Sequence, residues 1–587
     1  MSRDPIAYGS LDRGRDCNYW DLDRTLRFEA RRVYDSEEFE WAEPRLAEFG
    51  EVVGTTIADN ADVIDRHGPE LHTYDERGEI QNAVEYHPAQ RENERLVYER
   101  GIVADAFSPP PGRDEPASFV HALTMQTLLS YADAGLTCPV SMTTGAALVL
   151  RNHDDGSLDE YFERLTARER DDLIQGAMFL TEKQGGSDVG ANETVAERDG
   201  DCWRLTGEKW FCSNIDAEGA LALARRPDAP DGTEGLSLFL VPHTASDGSP
   251  DDALYRRLKD KLGTISVPTG EVEFRGAEAY LVGEPERGFE YVTTMLNWER
   301  VTNATGAVGV MGRALLESKI HAANREAFGE RLCDHPLMAR DLVEMAVEYD
   351  AAAAFAFEAA RHFDRYERDG DDDAYKLVRA LVPVAKYATA RMAVEMTSYA
   401  MEVRGGDGYV ADYVTERLLR DAQVLPIWEG TSNVLSLELL RVLDAEDAHE
   451  ALLPLVEGYL DGVERPHLTA LAAIVRSEFE DLQAAMVSLA AEDDEYAQLE
   501  AKRLADYLFD VVAAALLVDG ARRRLVDADD ARRALVAEWF VKTRFGDRSA
   551  RAIPDGDRLP TEHFDAIVRY GGVEPAVLDE RDVGAIR

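Results

Sequence analysis

The stretch Leu425-Pro426-Ile427-Trp428-Glu429-Gly430-Thr431-Ser432-Asn433 sets a single carboxylate between a bulky apolar run and a small polar turn. An apolar-periodic helix follows at once, through Val434, Leu435, Leu437, Leu439, Leu440, Val442 and Leu443. Partial desolvation by Ile427 and Trp428 would disfavour the ionised carboxyl and make it a stronger base. Gly430 lets a ligand approach the backbone closely, and Thr431 and Asn433 offer hydrogen bonds at a helix N-terminus. Alone, the tripeptide Glu-Gly-Thr reads as an ordinary helix start with an exposed glutamate. The remainder of the chain decides against that reading.

Around this stretch, residues 289–443 are helical in pattern. The segments 307–323, 336–364, 372–401 and 434–443 carry apolar positions at three- and four-residue spacing, with alanine-rich faces such as 351–354 that allow close packing. Upstream, short β-rich runs (203–211, 220–224, 236–241, 270–274) separated by Gly, Pro and Asp turns predict a sandwich or barrel. Helical spacing returns at 26–61, with Pro44 as a break, and at 82–107 and 117–152, after a turn at 75–78. Beyond Asp444 another helical region runs to the end, with long periodic stretches at 468–489 and 499–518. The fold class is α+β and mostly helical. The expected division is an irregular extension (1–30), an N-terminal helical domain (31–175), a middle β-domain (176–285), a C-terminal helical bundle (286–445) and an appended helical domain (446–587).

The formal net charge is −49, yet 45% of residues are hydrophobic and the acids are spread along amphipathic segments. This implies a folded protein with an acidic surface, suited to a salt-rich (halophilic) cytoplasm where ions screen self-repulsion. It argues against broad nucleic-acid binding. The stretch 521–551 is locally basic (Arg522, Arg523, Arg524, Arg532, Arg533, Lys542, Arg544, Arg548, Arg551), a pattern expected of a solvated or ion-paired helix face. Five scattered cysteines without metal-type pairs suit a reducing compartment and make a metal site unexpected. Neither a membrane-spanning run nor an N-terminal apolar signal is read from the sequence.

Four further motifs precede or flank the opening stretch. Met178-Phe179-Leu180-Thr181-Glu182-Lys183-Gln184-Gly185-Gly186-Ser187-Asp188-Val189 ends a β-like run in a glycine-rich loop able to hold an anion or a ring carbonyl. Lys209-Trp210-Phe211-Cys212-Ser213-Asn214, Arg325-Glu326-Ala327-Phe328-Gly329 and Glu402-Val403-Arg404-Gly405-Gly406-Asp407-Gly408 follow in order. Together with Trp428–Asn433 they resemble the ordered signatures of the acyl-CoA dehydrogenase family over about residues 40–445. The resemblance implies FAD as cofactor, an acyl-CoA thioester as substrate in fatty-acid metabolism, and an electron-transfer flavoprotein as acceptor. It further implies a homotetramer or dimer, with FAD between the β-domain and the bundle and completed by the neighbouring subunit.

By the same resemblance Glu429 is the base that takes the substrate α-proton. Phe179, Thr181, Phe211 and Ser213 face the flavin, and Ser187 lies along the acyl-CoA as well as near the cofactor. Arg325 and Phe328 meet the FAD pyrophosphate and its surroundings, and Glu402, Gly405 and Gly406 approach the neighbour's FAD. Thr431 and Asn433 complete the cofactor set; Asn297, Arg300, Trp428 and Gly430 line the substrate. Two departures stand out: Ala327 where the family often has Thr, and Arg404 where an apolar residue is usual. A minority of the family carries its base where Glu299 falls, so Glu299 is the alternative base. The runs at 134–143, 181–189 and 258–263, the early segment 69–88 and the extra C-terminal region resemble the AidB branch in particular. That branch is associated with DNA protection after alkylation and weak dehydrogenase activity, and DNA is the partner this reading ranks last.

Overall fold

The computed structural model describes residues 3–546, 556–581 and 583. The chain divides into two compact units, one comprising Glu40–Thr302 and the other Met1–Phe39 with Asn303–Arg587.

Within Glu40–Thr302, a hairpin of β1 (Glu70–Tyr74) and β2 (Ile80–Glu85) precedes the helix Pro88–Tyr98. A strand therefore stands where helical spacing was read from residue 82, because half-buried Ile80 and Val84 alternate with buried Asn82 between them on one face of a two-stranded ribbon. Pro44, read as a break, lies inside the helix Ser36–Val52. The buried helices Phe119–Ser130 and Ala134–His153 follow, the latter started by Asp133, whose carboxylate accepts the Leu136 N–H at 2.9 Å.

The β-domain holds β3 (Gly176–Phe179), β4 (Val195–Asp199), β5 (Cys202–Ser213), β6 (Gly219–Arg225), β7 (Leu236–Val241), β8 (Ala253–Leu258) and β9 (Thr269–Leu281). The pairings β6–β7, β7–β9, β9–β5, β5–β4 and β4–β6 close a ring, with β3 parallel to β6 and β8 on β9. The expected alternatives resolve to a barrel. Period-two alternation supplies both of its faces. Ala220, Ala222, Ala224 and Phe239 join the barrel core. Leu221, Leu223, Leu236, Leu238 and Leu240 instead pack with Met142, Ala146 and Leu150 of the helix behind them. Gly176 permits that approach: a Cβ there would lie 2.7 Å from the Met142 carbonyl oxygen.

A charge pair interrupts this apolar interior. Lys209 is wholly buried on β5 and donates to Glu182 and to the Leu223 carbonyl, each at 2.8 Å. Glu182 also accepts the N–H groups of Glu193 and Thr194 and the Thr194 hydroxyl. Burial raises its pKa, but Lys209 and these hydrogen bonds outweigh burial and hold it below the ordinary carboxylate range.

The other unit is helical. The long helices Pro336–Asp369 and Asp372–Arg404 pack together, and the first carries buried alanines, including Ala351, Ala352, Ala353 and Ala359. Gly370, at φ +63°, ends the first, and the Asp371 carboxylate caps the second. The helices Ser432–Ala445, His449–Leu460, Pro466–Ala490, Asp494–Ala528 and Arg532–Phe545 complete it. The segment expected to be irregular carries the helices Tyr19–Leu22 and Arg24–Val33, each started by a capping side chain, Asn18 and Asp23.

The described cations of 521–546 sit on carboxylates. Arg522 and Arg523 share Asp519, and Arg524 pairs with Asp530. Arg532 and Arg533 converge on buried Asp350 at 2.7 and 3.0 Å, and Arg533 also reaches Glu29. Lys542 pairs with Asp557, and Arg544 with Glu348 and Asp510. The region is ion-paired throughout; Arg548 and Arg551 lie outside the described residues. Close by, the Ile6 N–H donates to the Arg569 carbonyl and the Gly572 N–H to the Arg3 carbonyl, each at 2.8 Å. Among the described residues no helix is long and apolar enough to cross a membrane.

Two stability predictions follow from these charges. Burial raises the Asp350 pKa, but Arg532 and Arg533 outweigh it and hold the carboxyl below its ordinary value. A depressed carboxylate contributes stability above its unfolded pKa of about 4, and the contribution is lost as pH falls further. Asp350→Asn should therefore destabilise by about 3–5 kcal/mol at neutral pH and flatten the acid limb below about pH 4, measured by denaturant unfolding in molar KCl. In the barrel, Lys209→Met should destabilise by about 3 kcal/mol, because it leaves Glu182 buried beside no cation. Adding Glu182→Gln should recover more than half of the loss in the same assay.

Candidate functional site

After the helix Thr415–Ala422 the chain winds through tight turns. The Leu425 N–H donates to the Ala422 carbonyl, and those of Ile427 and Trp428 both donate to Val424. It then enters the helix Ser432–Ala445 with Thr431 in the N-cap position. Two successive residues between them are left-handed: Glu429 at φ +55° and Gly430 at φ +105°. For a non-glycine residue that conformation costs on the order of 1 kcal/mol, and it persists where the surroundings over-determine it.

Three side-chain bonds supply that constraint. The Asn303 amide accepts the Trp428 indole N–H at 3.0 Å and donates to the Leu425 carbonyl at 3.1 Å. Lys386, wholly buried in the helix Asp372–Arg404, donates to the Gly430 carbonyl at 2.6 Å. Trp428 and Glu429 are half-buried. Ile427 is 62% exposed. Thr431 and Asn433 are exposed, and the Thr431 hydroxyl makes no cap bond.

In the same unit, Arg325 precedes a two-residue hairpin in which Ala327 pairs with Glu330. Its tip residues Phe328 and Gly329 have φ of +56° and +88°, the pattern of a type I′ turn. Phe328 is 99% exposed. The helix Asp372–Arg404 runs out into the 3₁₀ turn Gly405–Tyr409. Glu402, Gly405 and Gly406 are exposed, and both glycines face open space. Arg404, the departure noted in the sequence, has a partner: it donates to Glu317 at 2.7 Å and lies over Tyr413. Glu317 in turn accepts from buried Arg313, so the arginine completes an ionic relay.

The unit Glu40–Thr302 holds the remaining predicted residues. The Phe179 ring belongs to the barrel core, so this residue offers a ligand its backbone and not its face. Thr181 accepts the Trp210 N–H through its carbonyl at 2.9 Å. The loop after it folds back so closely that a Cβ on Gly186 would sit 2.5 Å from the Thr181 hydroxyl oxygen. Ser187 and Phe211 are exposed, Phe211 by 56%. Lys259 stands 3.4 Å over the Trp210 ring, a cation–π contact, while Ser213 bonds Thr269 at 3.0 Å. On the helix Gly288–Asn324, Asn297, Glu299 and Arg300 are buried. Trp298 between them donates to the Ser141 carbonyl.

Sequence reasoning missed the residues that hold these loops. Lys209 and Glu182 were inside quoted motifs without a role; a lysine amid an apolar strand was the available signal. Asn303 and Lys386 had none, since each meets its partner only through the packing of distant helices.

Comparison with known proteins agrees with this geometry. The family models for the adaptive response protein AidB N-terminal domain, the acyl-CoA dehydrogenase middle domain and the acyl-CoA dehydrogenase C-terminal domain match residues 12–172, 177–277 and 286–443. Acyl-CoA dehydrogenase family member 11 of Caenorhabditis elegans is 32% identical over 73% of this chain and 70% of its own. AidB of Escherichia coli is 33% identical over 69% of this chain and 75% of its own. The solved structure of C. elegans ACDH-11 in complex with C11-CoA superposes with a TM-score of 0.83 at 29% identity, covering 91% of this chain and 92% of that one. The fold is shared with the worm structure, and the chain belongs to the acyl-CoA dehydrogenase family of oxidoreductases, in its AidB-like branch.

Proposed function

We propose that the protein is an FAD-dependent dehydrogenase that converts an acyl-CoA thioester to the trans-2-enoyl-CoA, with Glu429 as the base. The observation that carries this reading is the Glu429–Gly430 turn, a strained backbone held by three side-chain bonds within the motif that resembles the family's catalytic signature. The donor set fits FAD. The exposed Phe211 ring and the Thr181 and Ser213 hydroxyls suit the flavin, and exposed Arg325 suits a pyrophosphate. Gly405 and Gly406 leave backbone amides uncovered, and Ser187, Thr431 and Asn433 add hydrogen-bonding groups.

Bound FAD supplies the acceptor for the β-hydride. Glu429 removes the α-proton. Its own backbone N–H polarises the thioester oxygen, without which the α-proton is too weakly acidic for a carboxylate. Asn297 and Arg300 bind the CoA moiety, with Trp428 and Gly430 beside the acyl chain. Glu299 is the alternative base. The ligand of the worm relative supports an acyl-CoA substrate and a place in fatty-acid metabolism. Exposed Phe328 on its hairpin and the open Gly405–Gly406 turn support a homotetramer or dimer in which a neighbour covers them. An electron-transfer flavoprotein is the proposed acceptor. The proposed setting is a salt-rich cytoplasm, in keeping with the acidic composition.

The second reading, an AidB-like DNA-protection protein with vestigial activity, draws support from the AidB N-terminal family model. The ion pairing of 521–546 speaks against it, because cations already neutralised by carboxylates have little left for phosphates.

The test is the anaerobic visible spectrum of purified protein in molar KCl as short, branched and medium-chain acyl-CoAs are added. Wild type should bleach its flavin band, Glu299→Gln should bleach it too, and Glu429→Gln should not. Loss only in Glu299→Gln moves the base to the helix Gly288–Asn324; no bleaching with any thioester despite bound FAD overturns the metabolic reading. Duplex DNA titrated into the protein at decreasing KCl should show no saturable binding up to about 100 μM, the weak end of ordinary non-specific DNA binding. A steep salt-dependent affinity would favour the second reading.

A further inference from the structure

We propose that Lys386 is a positioning residue for the reaction: its ammonium, bound to the Gly430 carbonyl, locks the left-handed Glu429–Gly430 turn that presents the base. The inference rests on the reading of Glu429 as the base. Its foundation is geometric. Glu429 occupies a backbone conformation that its own sequence does not favour, and a Cβ on Gly430 would come within 3.2 Å of the Leu435 side chain, so the turn fits tightly at its C-terminal side. On the N-terminal side the Asn303 amide grips both Leu425 and Trp428. On the C-terminal side the named constraint is the Lys386 bond at 2.6 Å.

A neutral donor could satisfy one carbonyl. Burying a lysine there, at 0% exposure, is costly unless its charge is used. A charge-assisted bond is shorter and about twice as strong as a neutral one, which suits a carbonyl that must not swing. The peptide after Gly430 also leads into Thr431, the N-cap of the following helix, so the same bond fixes where that helix begins. Lys386 touches neither substrate nor flavin in this account. It acts through the backbone of its neighbour.

The experiment compares wild type, Lys386→Met, Lys386→Arg and Glu429→Gln in molar KCl by two readouts. Hydrogen–deuterium exchange with mass spectrometry follows the peptide covering 424–436. Anaerobic stopped-flow follows flavin bleaching against acyl-CoA concentration. Lys386→Met should accelerate exchange of that peptide at least about tenfold while barrel peptides stay unchanged. It should also lower the limiting bleaching rate about 10–100-fold, with half-saturation within about threefold of wild type, a loss specific to the oriented state. Lys386→Arg, which keeps a charged donor, should restore part of both. Unchanged exchange in Lys386→Met overturns the proposal whatever residue is the base. Parallel loss of FAD, acyl-CoA affinity and rate, unrelieved in Lys386→Arg, overturns it in favour of a merely structural lysine. If exchange rises as expected but Glu429→Gln still bleaches, the identity of the base fails and the locking role of Lys386 stands.

Discussion

Asp350 is the charge on which the helical unit turns. It is buried in the middle of the helix Pro336–Asp369 and takes hydrogen bonds from Arg532, Arg533 and Thr25. Those three come from the last long helix and from the N-terminal segment, so one carboxylate joins elements more than 500 residues apart in sequence. Isolated in an apolar interior such a group would be neutral; surrounded by guanidiniums it stays ionised and sets the register of the helices that supply them. Glu29 and Glu358 extend the pattern through Arg533 and Arg32. The appended helices are thereby part of the bundle's interior electrostatics.

That arrangement explains an apparent contradiction in the composition. A chain carrying a net charge of −49 contains a locally basic stretch, yet the described arginines of that stretch face inward or lie along carboxylates. The surplus acid is left on the surface, where dissolved salt would screen it. Each unit also carries such a pairing of its own. Arg404, Glu317 and Arg313 form one relay, and Lys209 with Glu182 forms another beneath the loop that carries Thr181 and Ser187. Both place charge behind a motif loop rather than in it.

Much of this was legible in the sequence. Runs of β-favouring residues between Gly, Pro and Asp turns marked β5, β6, β7 and β9, and apolar positions at three- and four-residue spacing marked the long helices. It was less clear at the N-terminal end. Residues 80–85 form a ribbon with too little burial for alternation to be distinctive, and Pro44 is accommodated inside a helix whose neighbours tolerate it. The motif residues were found as groups, but their exposure was not: that Phe179 turns its ring into the barrel while Phe211 is exposed depends on closure of the sheet. Asn303 and Lys386 were invisible for a simpler reason. Hydrogen bonds between helices far apart in sequence leave no local pattern.

The pairing of Arg3 and Ile6 with residues 569–572 also bears on how the chain is made. During synthesis the first segment emerges long before the last one exists. At roughly 5–20 residues per second, the ribosome leaves it waiting for about half a minute to two minutes. Through that interval Tyr8, Tyr19 and Trp20, all buried in the finished protein, are without the C-terminal part of their unit. The unit Glu40–Thr302 has no such delay and can assemble its barrel while the rest is still being translated. The order of events on the ribosome is thus written into which ends of the chain touch.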